Sequence, residues 1–258
     1  MNHVISKLFM IKGYVVISVV LLAGLLFNPQ IVLAELTPTE ILARSDSARG
    51  NLAGAEWNIN IDSVNNGRKR VRRLKLKASN HNSLAEFIAP ARVKGRKLLM
   101  IERNMWFVKP GLRKPVPISP RQKLLGGASY GDIASTNYSG DYKVTSMDQD
   151  MLNGEPCYRF DLAAINQKVT YDRIKYWIWK ERLVGVKSEF FTVSGKMFEA
   201  ATLEYDNQVE FDGKSQAFVS KMIITDAVAE KDVTTLSYSK VKLNKIPNAA
   251  FNLNLLAR

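Results

Sequence analysis

Along most of the chain, apolar side chains recur at every second position. Trp57-Asn58-Ile59-Asn60-Ile61-Asp62 alternates apolar with polar residues, the period of a half-buried strand, and Asn65-Asn66-Gly67 supplies the positive-φ positions of a tight hairpin turn. Similar β-branched and aromatic runs follow at 71–78, 84–89, 98–102, 105–109, 141–146, 158–164, 174–179, 184–192, 197–205, 217–227 and 234–243. Turn residues at Asn104, Gly154, Ser194-Gly195 and Asp212-Gly213 separate several of them. A series of short strands with turns predicts an antiparallel meander that curls into a barrel or sandwich.

Two stretches break that period. In Thr37-Pro38-Thr39-Glu40 the threonine can cap a helix, Glu40 can reach back, and Pro38 sits in the first turn, where no donor is missed. Ile41, Leu42, Ser45, Ala48 and Leu52 then share a helical face, and Gly50 offers a stop. The second stretch, 109–133, carries Pro110, Pro115, Pro117 and Pro120, which forbid a central strand, followed by Gly126-Gly127 and by Ser129 with Asp132 three residues on, a helix-start pair. It reads as a loop with one short helix crossing an opening of the sheet, the kind of loop that serves as a lid.

The N-terminus differs from both. Lys7 and Lys12 precede an uncharged apolar run from Gly13 to Phe27, Asn28-Pro29 breaks it, and Val32-Leu33-Ala34 provides a cleavage site, the pattern of a secretory signal peptide. The expectation is residues 1–34 as signal peptide, cleaved near Ala34, and 35–258 as a single exported domain. No linker or shift of composition divides the remainder. With 46% hydrophobic and 24% charged residues the chain has the balance of a folded protein.

Composition narrows the chemistry. The 258 residues hold two histidines, His3 and His81, and one cysteine, Cys157, too few for a His/Cys zinc site or the usual Ser-His-Asp and Cys-His nucleophiles. Cys157 lies in Pro156-Cys157-Tyr158 and reads as a small buried hydrophobe, and His81 between Asn80 and Asn82 as a turn residue. Carboxylate pairs such as Asp148 with Asp150, or Asp161 with Glu155, are the remaining route to acid-base work on a glycan, and no feature singles out a pair. Gly126-Gly127-Ala128-Ser129-Tyr130-Gly131 lacks the Lys-Ser/Thr of a nucleotide-binding loop, since Asp132-Ile133 follow. The expectation is a non-enzymatic protein with no catalytic residue, metal or cofactor. Net charge is +13, from 37 Lys and Arg against 24 Asp and Glu, yet no nucleic-acid-binding motif is present and the leader directs the chain away from nucleic acid.

Seven cations crowd into ten residues, Arg68, Lys69, Arg70, Arg72, Arg73, Lys75 and Lys77. One reading is a solvated hairpin arm that protects an edge strand; the other is a surface that steers the protein to anionic head groups or an acidic partner. Arg96, Lys97, Arg113, Lys114, Arg121 and Lys123 would enlarge the patch if the proline-rich loop lies near it.

Several blocks together resemble a known family. Ser83-Leu84-Ala85-Glu86-Phe87-Ile88-Ala89-Pro90, Lys94-Gly95-Arg96-Lys97-Leu98-Leu99-Met100, Asn104-Met105-Trp106-Phe107-Val108-Lys109-Pro110, Leu125-Gly126-Gly127-Ala128-Ser129-Tyr130-Gly131-Asp132-Ile133 and Ile174-Lys175-Tyr176-Trp177-Ile178-Trp179-Lys180 occur in the order found in LolA-like outer membrane lipoprotein-sorting proteins. The resemblance spans about 56–205. It implies an unclosed, strongly curved antiparallel β-barrel with helices on its concave side, holding acyl chains of a lipid or lipoprotein in the periplasm. It also implies an inner-membrane transporter as donor and an outer-membrane acceptor.

A curved sheet pairs its own backbone while presenting alternate side chains to a cavity. The lipid-binding face expected on this basis comprises Trp57, Ile59 and Ile61, with Leu98 and Met100, and either Trp106 and Val108 or Met105 and Phe107, the first of those pairs being preferred. The expected lid includes Pro110, Gly126, Gly127, Tyr130 and Ile133, and the basic strip faces a membrane or partner. Each buried CH₂ contributes about 0.8 kcal/mol, so a twelve-carbon tail supplies on the order of 9 kcal/mol before ordering costs. The alternative is an adaptor module of an envelope lipid transporter that carries no cargo. Tyr176-Trp177-Ile178-Trp179 alternates both ways, so one pair is expected inside and the other beneath a helix.

Overall fold

The computed structural model describes residues 36–256 except 113, 135 and 212. The leader, the cleavage site at Ala34 and Arg113 lie outside the described residues. Helix α1 (Pro38–Ser47) begins at Thr37 with both bonds of the capping box, the Glu40 amide donating to Thr37 and the Thr37 amide to the Glu40 carboxylate. The strands are β1 (Ala55–Asn65), β2 (Arg68–Ser79), β3 (Asn82–Ala89), β4 (Lys97–Ile101), β5 (Asn104–Val108), β6 (Val116–Ile118), β7 (Lys123–Leu125), β8 (Ala128–Ser129) and β9 (Tyr142–Leu152). They continue with β10 (Glu155–Ala164), β11 (Arg173–Trp179), β12 (Gly185–Phe191), β13 (Met197–Glu204), β14 (Asn207–Phe211), β15 (Lys214–Phe218), β16 (Lys221–Asp226) and β17 (Val233–Leu243). Short helices α2 (Tyr138–Asp141) and α3 (Leu253–Leu256) and three 3₁₀ turns complete the described chain.

Thirteen strands form one antiparallel sheet in the order β6-β5-β4-β3-β2-β1-β17-β16-β13-β12-β11-β10-β9. β6 and β9 are its two edges, so the curved sheet is not closed, as the family resemblance implies. Pro117 lies in the edge strand β6, where a missing donor costs no ladder bond. The run at 217–227 is broken: β15 pairs with β14 as a separate hairpin and only β16 joins the main sheet.

The inner face carries the main core. Trp57, Ile59 and Ile61 stand opposite Leu76, Leu74 and Arg72, and Trp57 meets Phe218 edge-on at 5.5 Å. Tyr176 and Ile178 pair with Phe160 and Tyr158 on this face, and Tyr176 and Phe160 are fully buried. Trp177 and Trp179 therefore point outward. The Trp177 indole donates to Asp150 at 2.9 Å and lies beneath the Lys187 ammonium at 4.5 Å. A smaller cluster of Leu99, Ile246 and Phe251 seals the outer face of β3 and β4 under the C-terminal segment.

Candidate functional site

Because β6 and β9 are the two edges of the sheet, residues 119–141 between them must cross the open mouth of the barrel. This segment contains the small hairpin β7–β8, a 3₁₀ turn at Tyr130–Ile133 and α2. The Ser129 amide donates to Asp132 at 2.7 Å, the capping bond that the Ser-x-x-Asp spacing predicts. Leu125, Ala128 and Ile133 are buried against the main core, so the underside of the crossing segment is apolar.

Its attachments are polar. The Lys123 ammonium pairs with Glu199 at 2.5 Å and also donates to the Gly127 carbonyl at 2.6 Å. Arg121 pairs with Asp172 at 2.5 Å and donates to the Val169 carbonyl at 3.0 Å. The Tyr171 hydroxyl donates to Asp132 at 2.9 Å, and Tyr171 itself stacks on Phe190. The Gly127 amide donates to Thr234 at 2.9 Å. A side chain at Gly126, where φ is +55°, would collide with the Ser63 and Thr234 hydroxyls, and one at Gly127 would fall 2.9 Å from Ile224. Glycine is therefore required for the hairpin tip to lie this close to the sheet. Burial pushes the Glu199 carboxyl up to about 7, against the opposing pull of its bond to Lys123.

The other cover is α1. Ile41 and Leu42 enter the core, Ser45 shares a hydrogen bond of 2.8 Å with Tyr176, and Asp46 accepts the Tyr138 and Ser139 amides at 3.0 and 2.8 Å. Burial raises the Asp46 carboxyl to about 7, although those amides and Arg49 act to lower it. Arg49 is 7% exposed, its guanidinium lies over the Tyr138 ring at 5.1 Å, and its Nη1 has no protein partner. The sequence reading missed Arg49. Its spacing of four from Ser45 and eight from Ile41 was the available signal.

Beneath the crossing segment, the register decides which side chains share a face. Leu98 pairs with Phe107 and with Ala85, and Met100 with Met105 and Ser83. Leu98 and Met100 thus line the inner face together with Met105 and Phe107. Trp106 and Val108 stand opposite Leu99 and Lys97 on the outer face, so of the two alternatives the preferred pair is corrected: the turn at 102–103 sets a pairing one residue away from it. Pro110 does not belong to the crossing segment either. It follows β5 at the start of the turn towards the edge strand, beside Gly95. Gly126, Gly127, Tyr130 and Ile133 do lie in it.

Two small cavities lie between cover and sheet among the described residues. A cavity of about 10 Å³ lies between Leu98, Met100 and Met105 on one side and Tyr130, Ile133 and Ala134 on the other. Another of about 40 Å³ lies beside Arg49, Tyr138 and Tyr171. Pockets that bury a small ligand measure roughly 300–1,000 Å³. Larger grooves of about 580 and 730 Å³ meet around Glu181 and Arg182, lined by charged and polar side chains together with Trp179, Leu52 and Leu183. Among the described residues no helix is long and apolar enough to cross a membrane, and no three His, Cys, Asp or Glu side chains gather as metal ligands.

The basic strip divides by the same alternation. Lys69, Arg73, Lys75 and Lys77 face outward opposite Val64, Asn60, Asn58 and Glu56, and Lys75 and Lys77 reach Glu56 at 2.9 and 3.8 Å. Arg68, Arg70 and Arg72 continue the inner face beyond Leu74, opposite Asn65, Ser63 and Ile61. β3 pairs with β2 only from Arg73 onward, so Arg68, Lys69, Arg70 and Arg72 lie on a stretch whose β3 side is open, whereas Arg73, Lys75 and Lys77 lie between two strands. The carboxylates weighed for catalysis are engaged or far apart. Asp148 and Asp150 meet Arg159 at 2.9 and 3.7 Å, and Glu155 and Asp161, six residues apart on β10, are separated by roughly 20 Å. Cys157 is buried and unbridged, and His81 occupies the β2–β3 turn.

A family model described as "Uncharacterized protein" matches residues 79–258. A LolA superfamily protein from Nitrosomonas europaea is 27% identical over 84% of this chain and 98% of its own, with a TM-score of 0.76. A domain from Vibrio parahaemolyticus described as an outer membrane lipoprotein-sorting protein is 19% identical over 85% of this chain and 98% of its own, with a TM-score of 0.72. A DUF1329 family protein from Desulfovibrio piger reaches a TM-score of 0.67 at 19% identity, over 84% of this chain and 97% of its own. No curated protein matches the sequence. With its curved, unclosed sheet and the segment that bridges the two edges, the chain belongs to the LolA-like family.

Proposed function

We propose that the protein is a periplasmic carrier that takes acyl chains of a lipid or lipoprotein onto its inner face and delivers them towards the outer membrane. The observation that carries this reading is an apolar sheet face covered by a segment with an apolar underside and polar attachments. Water can replace the Lys123–Glu199 and Arg121–Asp172 pairs when the segment lifts, whereas an acyl chain can replace the contacts of Leu125 and Ile133. The cavities of about 10 and 40 Å³ belong to the closed state, and loading requires displacement of the cover. Leu98, Met100, Met105 and Phe107, with Trp57, Ile59 and Ile61 deeper along the face, then contact the chain. Domain limits of 35–258 and cleavage near Ala34 belong to this proposal, as do an inner-membrane transporter as donor and an outer-membrane acceptor.

Protein purified from cells expressing the full chain should yield acyl lipid on organic extraction and mass spectrometry, near one equivalent per molecule. Met105→Glu should abolish that lipid while preserving the circular dichroism spectrum. The small size of these two cavities favours a second reading, an adaptor of an envelope lipid transporter that carries no cargo. Protein that is lipid-free after purification and after incubation with donor vesicles would overturn the carrier reading and leave the adaptor.

A further inference from the structure

The inward arginines of β2 have no role in the packing just described. Arg72 is one step along the inner face from Leu74, and Leu74 pairs with Phe87 of β3. Phe87 in turn donates its amide to the Arg96 carbonyl at 2.9 Å. Arg96 precedes β4 in the alternation that turns Leu98 and Met100 inward, so Arg72 and Arg96 flank the same end of the apolar face. Arg92 is drawn in by a bond of 3.0 Å from the Arg96 guanidinium to its carbonyl. Arg70 extends the row on β2, opposite Ser63, against which the crossing segment packs through Gly126.

The Arg72 guanidinium donates to the Val71 carbonyl at 3.0 Å and has the other three as neighbouring cations. Among the described residues none of the four forms an ion pair, in contrast to Lys75 and Lys77 on the outer face of the same strand. Burial, then the like charges of Arg92, Arg70 and Arg96, push the Arg72 guanidinium below its usual range. An anion placed among them relieves that repulsion, and planar guanidinium forks match phosphate oxygens bidentately.

We propose that Arg70, Arg72, Arg92 and Arg96 form a phosphate-binding site at the rim of the apolar face, taking the head group of an anionic acyl lipid whose tails lie along Leu74, Phe87 and Leu98. The lipid part of this assignment rests on the carrier reading, and the phosphate part does not. A molecule lying along that face turns its polar end towards the arginines because the apolar positions end there.

The test uses delipidated protein from the full chain, equilibrated with vesicles of phosphatidylglycerol or of phosphatidylcholine with identical chains, separated by gel filtration and assayed for bound lipid. The protein should take up phosphatidylglycerol at least about tenfold more than phosphatidylcholine. R72Q/R96Q should bring the two to the same level, and K75Q/K77Q should leave the preference intact. A parallel calorimetric titration with glycerol 3-phosphate and with inorganic phosphate reads the site without acyl chains, and the single variants R70Q and R96Q, each expected to weaken the preference, replace the double variant if that fails to fold. Equal uptake of both lipids overturns the proposal, as does protein that stays with the vesicles, which marks a membrane-adhesive surface. If neither lipid is taken up, the carrier reading fails separately. Arginine-dependent titration by the phosphates then upholds the site, with free phosphate as its ligand, and a flat titration removes it.

Discussion

Two covers close the inner face, and they are built on opposite principles. Helix α1 is embedded: Ile41 and Leu42 are each 1% exposed, and its polar residues are satisfied by groups that are themselves buried, Ser45 by Tyr176 and Asp46 by the first amides of α2. The crossing segment between β6 and β9 places Leu125 and Ile133 inside and ties Asp132 and Gly127 to the buried Tyr171 and Thr234, but the cations of its two ion pairs are in contact with water, with Lys123 43% and Arg121 31% exposed. Lifting α1 uncovers hydrocarbon and strands buried polar groups; lifting the crossing segment exchanges most of its ion pairs for hydration. The first cover is part of the fold, and the second is the one suited to open.

The largest effect should come from attacking the embedded cover. Leu42→Ala should lower the unfolding free energy by about 2–5 kcal/mol, read from urea denaturation, because the void cannot collapse beneath a capped helix. A loss below about 1 kcal/mol would show α1 to be peripheral.

Asp46→Asn should cost less, about 1–3 kcal/mol, since one of the two amides of α2 loses its carboxylate oxygen. This variant also carries a pH signature. The folded state holds the Asp46 proton to about pH 7, whereas the unfolded chain releases it near the ordinary carboxylate value, so its contribution is full below about pH 4 and is lost as pH rises to about 7. The decline in stability over that interval should be shallower in Asp46→Asn than in the parent; parallel profiles would remove Asp46 as its source.

Glu199→Gln addresses the opening cover and should change global stability by no more than about 1 kcal/mol. Its effect should appear locally, as amide hydrogen exchange over residues 122–133 accelerating about fivefold. Closure takes up a proton at Glu199, because its carboxyl rises to about 7 under the cover and returns to the ordinary range in water. Exchange in the parent should therefore quicken as pH rises from about 5 to 7, after correction for intrinsic rates, and the Gln variant should lack that dependence. The smallest effect is reserved for the outer face, where Lys75→Gln with Lys77→Gln should stay within about 0.5 kcal/mol by thermal melting.

Local patterns were read where one element sufficed. Thr37 and Glu40 specify the start of α1, Asn66-Gly67 the first hairpin, and Ser129 with Asp132 the turn in the crossing segment, because each signal is carried by residues within one helical turn or one reversal. Alternation located most strands. It could not say which of Met105-Trp106-Phe107-Val108 faces in, since shifting the pairing by one residue exchanges the two sets, and only the opposition of Leu98 to Phe107 settles it. The basic strip was legible as charge and illegible as two surfaces for the same reason. Arg49 and Glu199 escaped notice because a single charged residue gives no sequence sign that it will be buried.

What the amino-acid order determined by itself is the inventory: alternating strands, a capped helix, a proline-rich interruption, and a shortage of histidine and cysteine that limits the chemistry. Tertiary structure decided the rest, placing β6 and β9 at the two free edges so that the interruption spans the mouth, and bringing Glu199 under Lys123 and Arg72 beside Arg96. Those juxtapositions join residues 76 and 24 positions apart, and they follow from strand order and curvature, long-range properties that no local pattern of polarity encodes.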